Sequence, residues 1–267
     1  MTVRAASGAA AAALFLLGCP SAGPARAAES AGPVLDLSYG AGGLTGPRYA
    51  GAKTVDAWAF PYISGSIGSS VEVDTLDGIR FTPLSGDGLS LGMISRYRAG
   101  RAGRSLPVPL RGLGGYRDAV ELGGFASWED GPFGLELLAT TDLDSATGGA
   151  TLEARATLSL PFGDPDTRQG LQIGPVLRAT NQQLQQRVFG VNERQAAATG
   201  LSPFRPSGGT EQVGVEAGLA LSLTGRWSLR GVASWNRLVG DATRSPLVRE
   251  GGTRDQLASG LFLVFTP

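Results

Sequence analysis

The chain has 267 residues, of which 41 are Gly, 16 are Pro and none is His, and its formal net charge is zero. Gly stands at roughly twice its usual share of about 7%, and Gly and Pro together make 57 of 267 residues, near the range of disordered chains, while the balanced charge leaves no electrostatic footprint for nucleic acid. Without His the chain cannot build a Ser-His-Asp or Cys-His nucleophile system, a His-bearing zinc site or an imidazole base, so no catalytic, cofactor or metal residue is assigned.

The first segment reads as an export signal. Arg4 lies in a short n-region, Ala9 to Leu17 form an apolar core, and Ala25-Arg26-Ala27 offers small residues at the positions a signal peptidase reads. Cleavage after Ala27 divides the chain into a signal peptide, residues 1–27, and one domain, residues 28–267. The alternative is a lipoprotein cut at Leu16-Leu17-Gly18-Cys19, with Cys19 acylated. In the first case the only cysteine leaves with the leader, and no thiol chemistry remains. Nothing after the leader holds ~18 consecutive apolar residues, so no helical span is expected.

The rest alternates with period two. Segments expected as strands run near Pro33 to Gly43, Asp56 to Ile67, Ser69 to Thr75, Gly78 to Leu84, Gly88 to Tyr97 and Ala119 to Trp128. They continue near Pro132 to Leu143, Gly149 to Pro161, Gly170 to Thr180, Thr210 to Leu223, Arg226 to Asn236 and Gln256 to Phe265. From Thr151 to Leu160, for example, Leu152, Ala154, Ala156, Leu158 and Leu160 alternate with Thr151, Glu153, Arg155, Thr157 and Ser159. Soluble strands average about five or six residues, whereas a tilted membrane strand needs about 9 to 11. Trp227 and Trp235 fall near the two ends of one apolar face, which suits the interfacial girdles of a membrane barrel.

Twelve such segments predict an all-β fold: a closed antiparallel transmembrane β-barrel, whose closure removes the edges that lipid would leave unpaired. A soluble β-sandwich is the competing architecture. Glu129-Asp130-Gly131, Asp77-Gly78 and Thr224-Gly225 read as hairpin turns; Arg98 to Asp118, Asn181 to Gly209 and Val239 to Asp255 read as long polar outer loops. On the polar faces, Glu136, Asp142, Glu153, Arg155, Arg178, Glu216 and Arg230 are the candidate lumen-lining charges, with Glu153 set beside Arg155 and Glu216 near Arg230. Gln182 to Arg187 reads as a solvated loop, Asp164-Pro165-Asp166 as a solvated turn, and Arg96, Arg98, Arg101, Arg104 and Arg111 as a cationic surface cluster suited to phosphate.

Several ordered motifs carry a family likeness. Pro47-Arg48-Tyr49-Ala50-Gly51 comes first, then Arg111-Gly112-Leu113-Gly114-Gly115-Tyr116 leading to Ala119-Val120-Glu121-Leu122-Gly123. Val188-Phe189-Gly190-Val191 and Gly200-Leu201-Ser202-Pro203-Phe204 follow, and Leu238 to Val248 precedes the last strand. Together they resemble the MipA/OmpV family of outer-membrane proteins, the MltA-interacting proteins. The resemblance implies a barrel in the outer membrane, in contact with its lipid and lipopolysaccharide, and the absence of His makes a non-enzymatic barrel the expectation. It also implies either a scaffold joining a periplasmic murein transglycosylase to a murein synthase, or a narrow porin-like channel for small solutes. The chain departs from the usual barrel ending, because its last aromatic, Phe265, is followed by Thr266-Pro267. The acidic stretch after the Gly-Leu-Gly triplet is also thinned to Gly115-Tyr116-Arg117-Asp118.

Overall fold

A computed structural model describes residues 35–143, 148–163 and 169–267. The export-signal segment and the Asp164-Pro165-Asp166 turn lie outside the described residues. Twelve antiparallel strands close into one barrel. They are β1 (Leu35–Pro47), β2 (Val55–Ile67), β3 (Val71–Asp74), β4 (Gly78–Gly86), β5 (Leu89–Arg98) and β6 (Ala119–Asp130), followed by β7 (Phe133–Asp142), β8 (Ala150–Pro161), β9 (Gly170–Thr180), β10 (Gly209–Thr224), β11 (Trp227–Leu238) and β12 (Asp255–Phe265). Each strand pairs with its sequence neighbours, and β1 closes on β12 from Tyr39↔Phe265 to Thr45↔Ser259. This is the closed sheet that the alternation and strand length imply, and it excludes the two-sheet sandwich.

Three hairpins at the end that carries both termini, β4–β5, β6–β7 and β10–β11, are tight. Asp87 and Gly88 both hold positive φ, 51° and 79°, as a type I′ turn requires, and Gly131 and Gly225 hold 54° and 51°. The outward face is apolar: Leu91, Met93, Leu135, Leu137, Leu261 and Leu263 are exposed on the barrel wall. Tyr39, Phe265 and Trp227 form an outward aromatic run near the termini, with ring centroids 5.6 and 5.1 Å apart. Trp235 lies eight residues up β11 from Trp227, about 26 Å along the strand, which spans the apolar band of an outer-membrane barrel after tilt. Phe265 therefore occupies a girdle position although it is not the last residue.

Glycine on the inward face allows neighbouring strands to approach closely. A Cβ at Gly174 would lie 1.7 Å from the Ala156 carbonyl oxygen, and one at Gly123 would lie 1.9 Å from that of Ala139. Such sites let the sheet bend sharply enough to close.

The long connections are not simple polar loops, which corrects the sequence expectation. Gln182 to Arg187, read as a solvated loop, lie in helix α1 (Gln182–Phe189), capped by the Asn181 side chain, which accepts from the Leu184 N–H at 3.0 Å. Leu184, Gln185, Val188 and Phe189 of α1 are buried. Helix α2 (Glu193–Thr199) carries a capping box between Asn192 and Gln195. A further turn of helix, α3 (Pro246–Arg249), lies in the last loop, and 3-10 turns cover Gly103–Ser105, Val108–Leu113 and Gly240–Arg244. Polar composition hid the period that matters, because a few apolar residues per loop suffice to make a shared core.

Candidate functional site

The barrel interior is filled from two sides. On β5 to β10, inward positions hold charges whose pairing follows from the strand register. Arg96 stands opposite Glu121, Glu136 opposite Arg155, and Glu153 opposite Arg178. The resulting contacts are Arg96 Nε to Glu121 at 2.8 Å, Arg155 to Glu136 at 3.3 Å, and Arg178 to Glu153 at 2.9 Å. Arg98 bonds the other oxygen of Glu121 at 2.7 Å and also pairs with Asp142. Arg155 is the hub. It reaches Glu153 at 2.5 Å, Asp77 and Glu216 both at 3.7 Å, and Glu136 at 3.3 Å. Most of these groups are nearly sealed from solvent, Glu121, Glu153 and Glu216 at 1% exposure each. Burying single charges would cost several kcal/mol each, so the alternation of sign across the lattice is what makes the arrangement possible.

On β1, β2, β11 and β12 the inward face carries an apolar cluster instead, with Arg230 as its inward charge. Leu44, Tyr62, Phe262 and Val264 form a buried cluster, with Trp58, Phe60, Leu76 and Val232 packed against it. The Tyr62 and Phe262 ring centroids are 5.0 Å apart, and the Tyr62 hydroxyl donates to Asp74 at 2.7 Å. The two halves meet at the tip of the short β3–β4 hairpin. Leu76 enters the aromatic cluster, while the adjacent Asp77 accepts from Arg80 at 2.6 Å and approaches Arg155. Arg80 in turn reaches across to Glu136 at 2.5 Å.

A dome of loops covers the end away from the termini. Tyr49, Ala52, Leu106, Leu113, Val191, Leu201 and Leu247 make one buried cluster there; Leu184, Val188, Phe189, Leu238, Ala242 and Val248 make a second. Hydrogen bonds tie the loops together: Ser245 Oγ donates to the Phe189 carbonyl at 2.6 Å, and Gln195 Nε2 donates to that of Leu113 at 2.7 Å. Asp241 accepts from the Ser207 N–H at 2.6 Å and its Oγ at 2.7 Å, and pairs with Arg244. The Ser207 and Arg244 bonds hold its carboxyl down at about 2.

All seven residues proposed from the alternation lie on inward strand positions, but their partners differ from expectation. Glu136, Asp142, Glu153, Arg155, Arg178 and Glu216 belong to the lattice. Glu216 faces Arg155, not Arg230. Arg230 has no carboxylate within ion-pair distance among the described residues; it borders a small cavity with Tyr62, Asp74 and Val232. The reason is height: Arg230 pairs across the sheet with Ala220, four residues below Glu216 on β10. The arginine cluster is likewise divided. Arg96 and Arg98 point into the lattice, Arg101 is buried under the dome, and only Arg104 and Arg111 are exposed. Asp77, Arg80 and Glu121 escaped the sequence reading; the inward alternation at Glu121 was their one visible signal, while Asp77 sat in an apparent turn.

Each lattice carboxylate is committed to guanidinium groups and closed off by neighbours, an arrangement suited to structure more than to proton transfer with a substrate. Among the described residues no three His, Cys, Asp or Glu side chains gather as a metal site.

No curated protein matches the chain in sequence. Among solved structures, the NanC porin is similar at 10% identity over 87% of this chain and 99% of its own, with a TM-score of 0.40. OprD of Pseudomonas aeruginosa is similar at 10% identity over 90% and 97%, with a TM-score of 0.32. The transport unit of the autotransporter AIDA-I from Escherichia coli is similar at 10% identity over 95% and 94%, with a TM-score of 0.33. The family described as MltA-interacting protein MipA matches residues 39–266. Given that match across nearly the whole described barrel, the chain belongs to the MipA family and is an outer-membrane barrel protein.

Proposed function

We propose that the protein is a non-conducting, non-enzymatic barrel of the outer membrane that serves as a binding element for murein-remodelling enzymes, with residues 1–27 as its removed export signal. The observation that carries this reading is the filled interior. A porin-like path needs continuous water, whereas here the Arg155 lattice, the Tyr62–Phe262 cluster and the Leu76-Asp77 tip meet across the lumen beneath a packed dome.

The two rims divide by charge. The turn end exposes Asp36, Asp87, Glu129 and Asp130, with Arg226 among them, and the loop end exposes Arg104, Arg111, Arg187, Arg194, Arg205 and Arg249, which outnumber the Asp118, Glu193, Glu250 and Asp255 exposed beside them. With the termini in the periplasm, the cationic rim faces lipopolysaccharide phosphates and the acidic rim faces the murein side. The family is described as MltA-interacting, which supports testing a periplasmic murein transglycosylase as partner; the synthase is the further partner that the family resemblance implies. Purified protein should insert into planar bilayers without single-channel current and retain a periplasmic murein transglycosylase on a column. Asp87→Asn combined with Glu129→Gln and Asp130→Asn should reduce that retention. Stable ion-selective current from the wild type would overturn the reading.

A further inference from the structure

Between the lattice and the dome lies a cavity of about 50 Å³ lined by Tyr49, Arg98, Arg101, Tyr116, Thr180 and Glu211 on its polar side, and by Ala50, Leu184 and Val188 on its apolar side. Arg101 is the unusual member. It is 5% exposed, yet among the described residues no carboxylate lies within 4 Å of it, and its Nε has no hydrogen-bond partner. Among the described residues its guanidinium has one hydrogen bond, Nη1 donating to the Val188 carbonyl at 3.0 Å, and it rests 5.1 Å from the centre of the Tyr116 ring. Burial pushes its pKa below the ordinary arginine value, but a guanidinium stays charged at any physiological pH. The nearby lattice does not serve as counter-charge, because Arg98 is bound to Glu121 and Asp142 and Arg178 to Glu153. Glu211 borders the same cavity but gives its carboxylate to the Thr180 hydroxyl at 2.6 Å.

A buried cation without a counter-charge beside an unfilled polar space needs an anion. We propose that this chamber is a binding site for a short-chain monocarboxylate, whose head pairs with Arg101 and whose tail lies against Leu184 and Val188. Size and chemistry select that class. One water needs about 10–15 Å³ of such space, so the chamber takes roughly three to five small heavy atoms. A guanidinium edge binds a planar carboxylate in two parallel bonds. Phosphate would present oxygens to the apolar wall and a second negative charge to Glu211, both unfavourable.

The test uses the folded protein in detergent micelles at pH 7 and constant ionic strength, titrated calorimetrically with sodium propionate, with sodium phosphate and sodium chloride as parallel arms. Saturable binding of one propionate per chain is expected, at least tenfold tighter than phosphate. Arg101→Gln should weaken it at least tenfold while the protein still shows the heat-dependent gel shift of a folded barrel. Ala50→Leu, which fills the chamber and keeps Arg101, should do the same and guards against a folding defect in the first variant. Absence of saturable propionate binding, equal binding by either folded variant, or phosphate binding as tight as propionate would overturn the proposal, as would a crystal structure grown in propionate that shows ordered water alone at Arg101.

Discussion

Replacing Arg155 by Met tests whether the interior is an interdependent lattice or a set of separate pairs. The side chain is 6% exposed and touches four carboxylates, but these do not depend on it equally. Asp77 and Glu136 keep Arg80, and Glu153 keeps Arg96 and Arg178. Among the described residues Glu216 keeps no cation within 4 Å, and its two oxygens accept no hydrogen bond. Arg155→Met therefore leaves one buried carboxylate uncompensated, a cost of about 3–5 kcal/mol. Glu216→Gln alone should cost only about 1 kcal/mol, because Arg155 retains three carboxylates. Adding Glu216→Gln to Arg155→Met should then recover about 2–4 kcal/mol, a coupling large enough to read in a double-mutant cycle. Urea unfolding in phospholipid vesicles, followed by fluorescence of the four tryptophans, measures it. A loss below about 1 kcal/mol for Arg155→Met, or additive behaviour in the double variant, would refute the assignment of Arg155 as hub.

Deleting residues 182–207 to remove two dome helices should leave bilayers electrically silent, since the lattice still blocks the lumen; adding Arg155→Met to that deletion should produce current in single-channel recording. Gly174→Val should abolish the heat-dependent gel shift, because its Cβ would meet the Ala156 carbonyl at 1.7 Å, whereas Gly231→Ala, whose nearest neighbour is at 3.6 Å, should fold normally. Asp241 has a depressed pKa in the folded loops, so its contribution is present above the ordinary carboxylate value and is lost as pH falls through about 2. Pepsin nicking of the dome should rise between about pH 4 and pH 2, and Asp241→Asn should remove that dependence.

Much of the wall was legible because each residue in a barrel strand answers to one of two solvents. From Thr151 to Leu160 that choice is visible residue by residue, and β8 covers it within Ala150–Pro161. Register was not legible, since alternation fixes which face a residue occupies and leaves its height free. Glu216 and Arg230 share the inward face, but four residues of offset put Arg155 nearer to Glu216. Residues 182–189 failed for another reason: with four Gln among eight positions, only Leu184, Val188 and Phe189 carry the helical period, and their burial depends on other loops that are distant in sequence. The Leu76-Asp77 tip was hidden because a two-sided role, apolar on one residue and ionic on the next, looks like an ordinary turn.

The choice of Arg over Lys follows from this interior. Of 23 basic residues 22 are Arg. A lumen of twelve strands is too wide for side chains from one strand to touch those opposite without long reach, and it carries six lattice carboxylates, several of which share a cation. An ammonium offers a compact point charge, whereas a guanidinium presents five donors in a plane and can hold two or more carboxylates at once, as Arg155, Arg98 and Arg80 do. Such bridging closes the lumen with few residues and leaves the outward face free to be apolar. If the proposed non-conducting reading holds, recognition falls to the acidic turns, the arginine-rich loops and Arg101 beneath the dome, and a selectivity filter has no part in it.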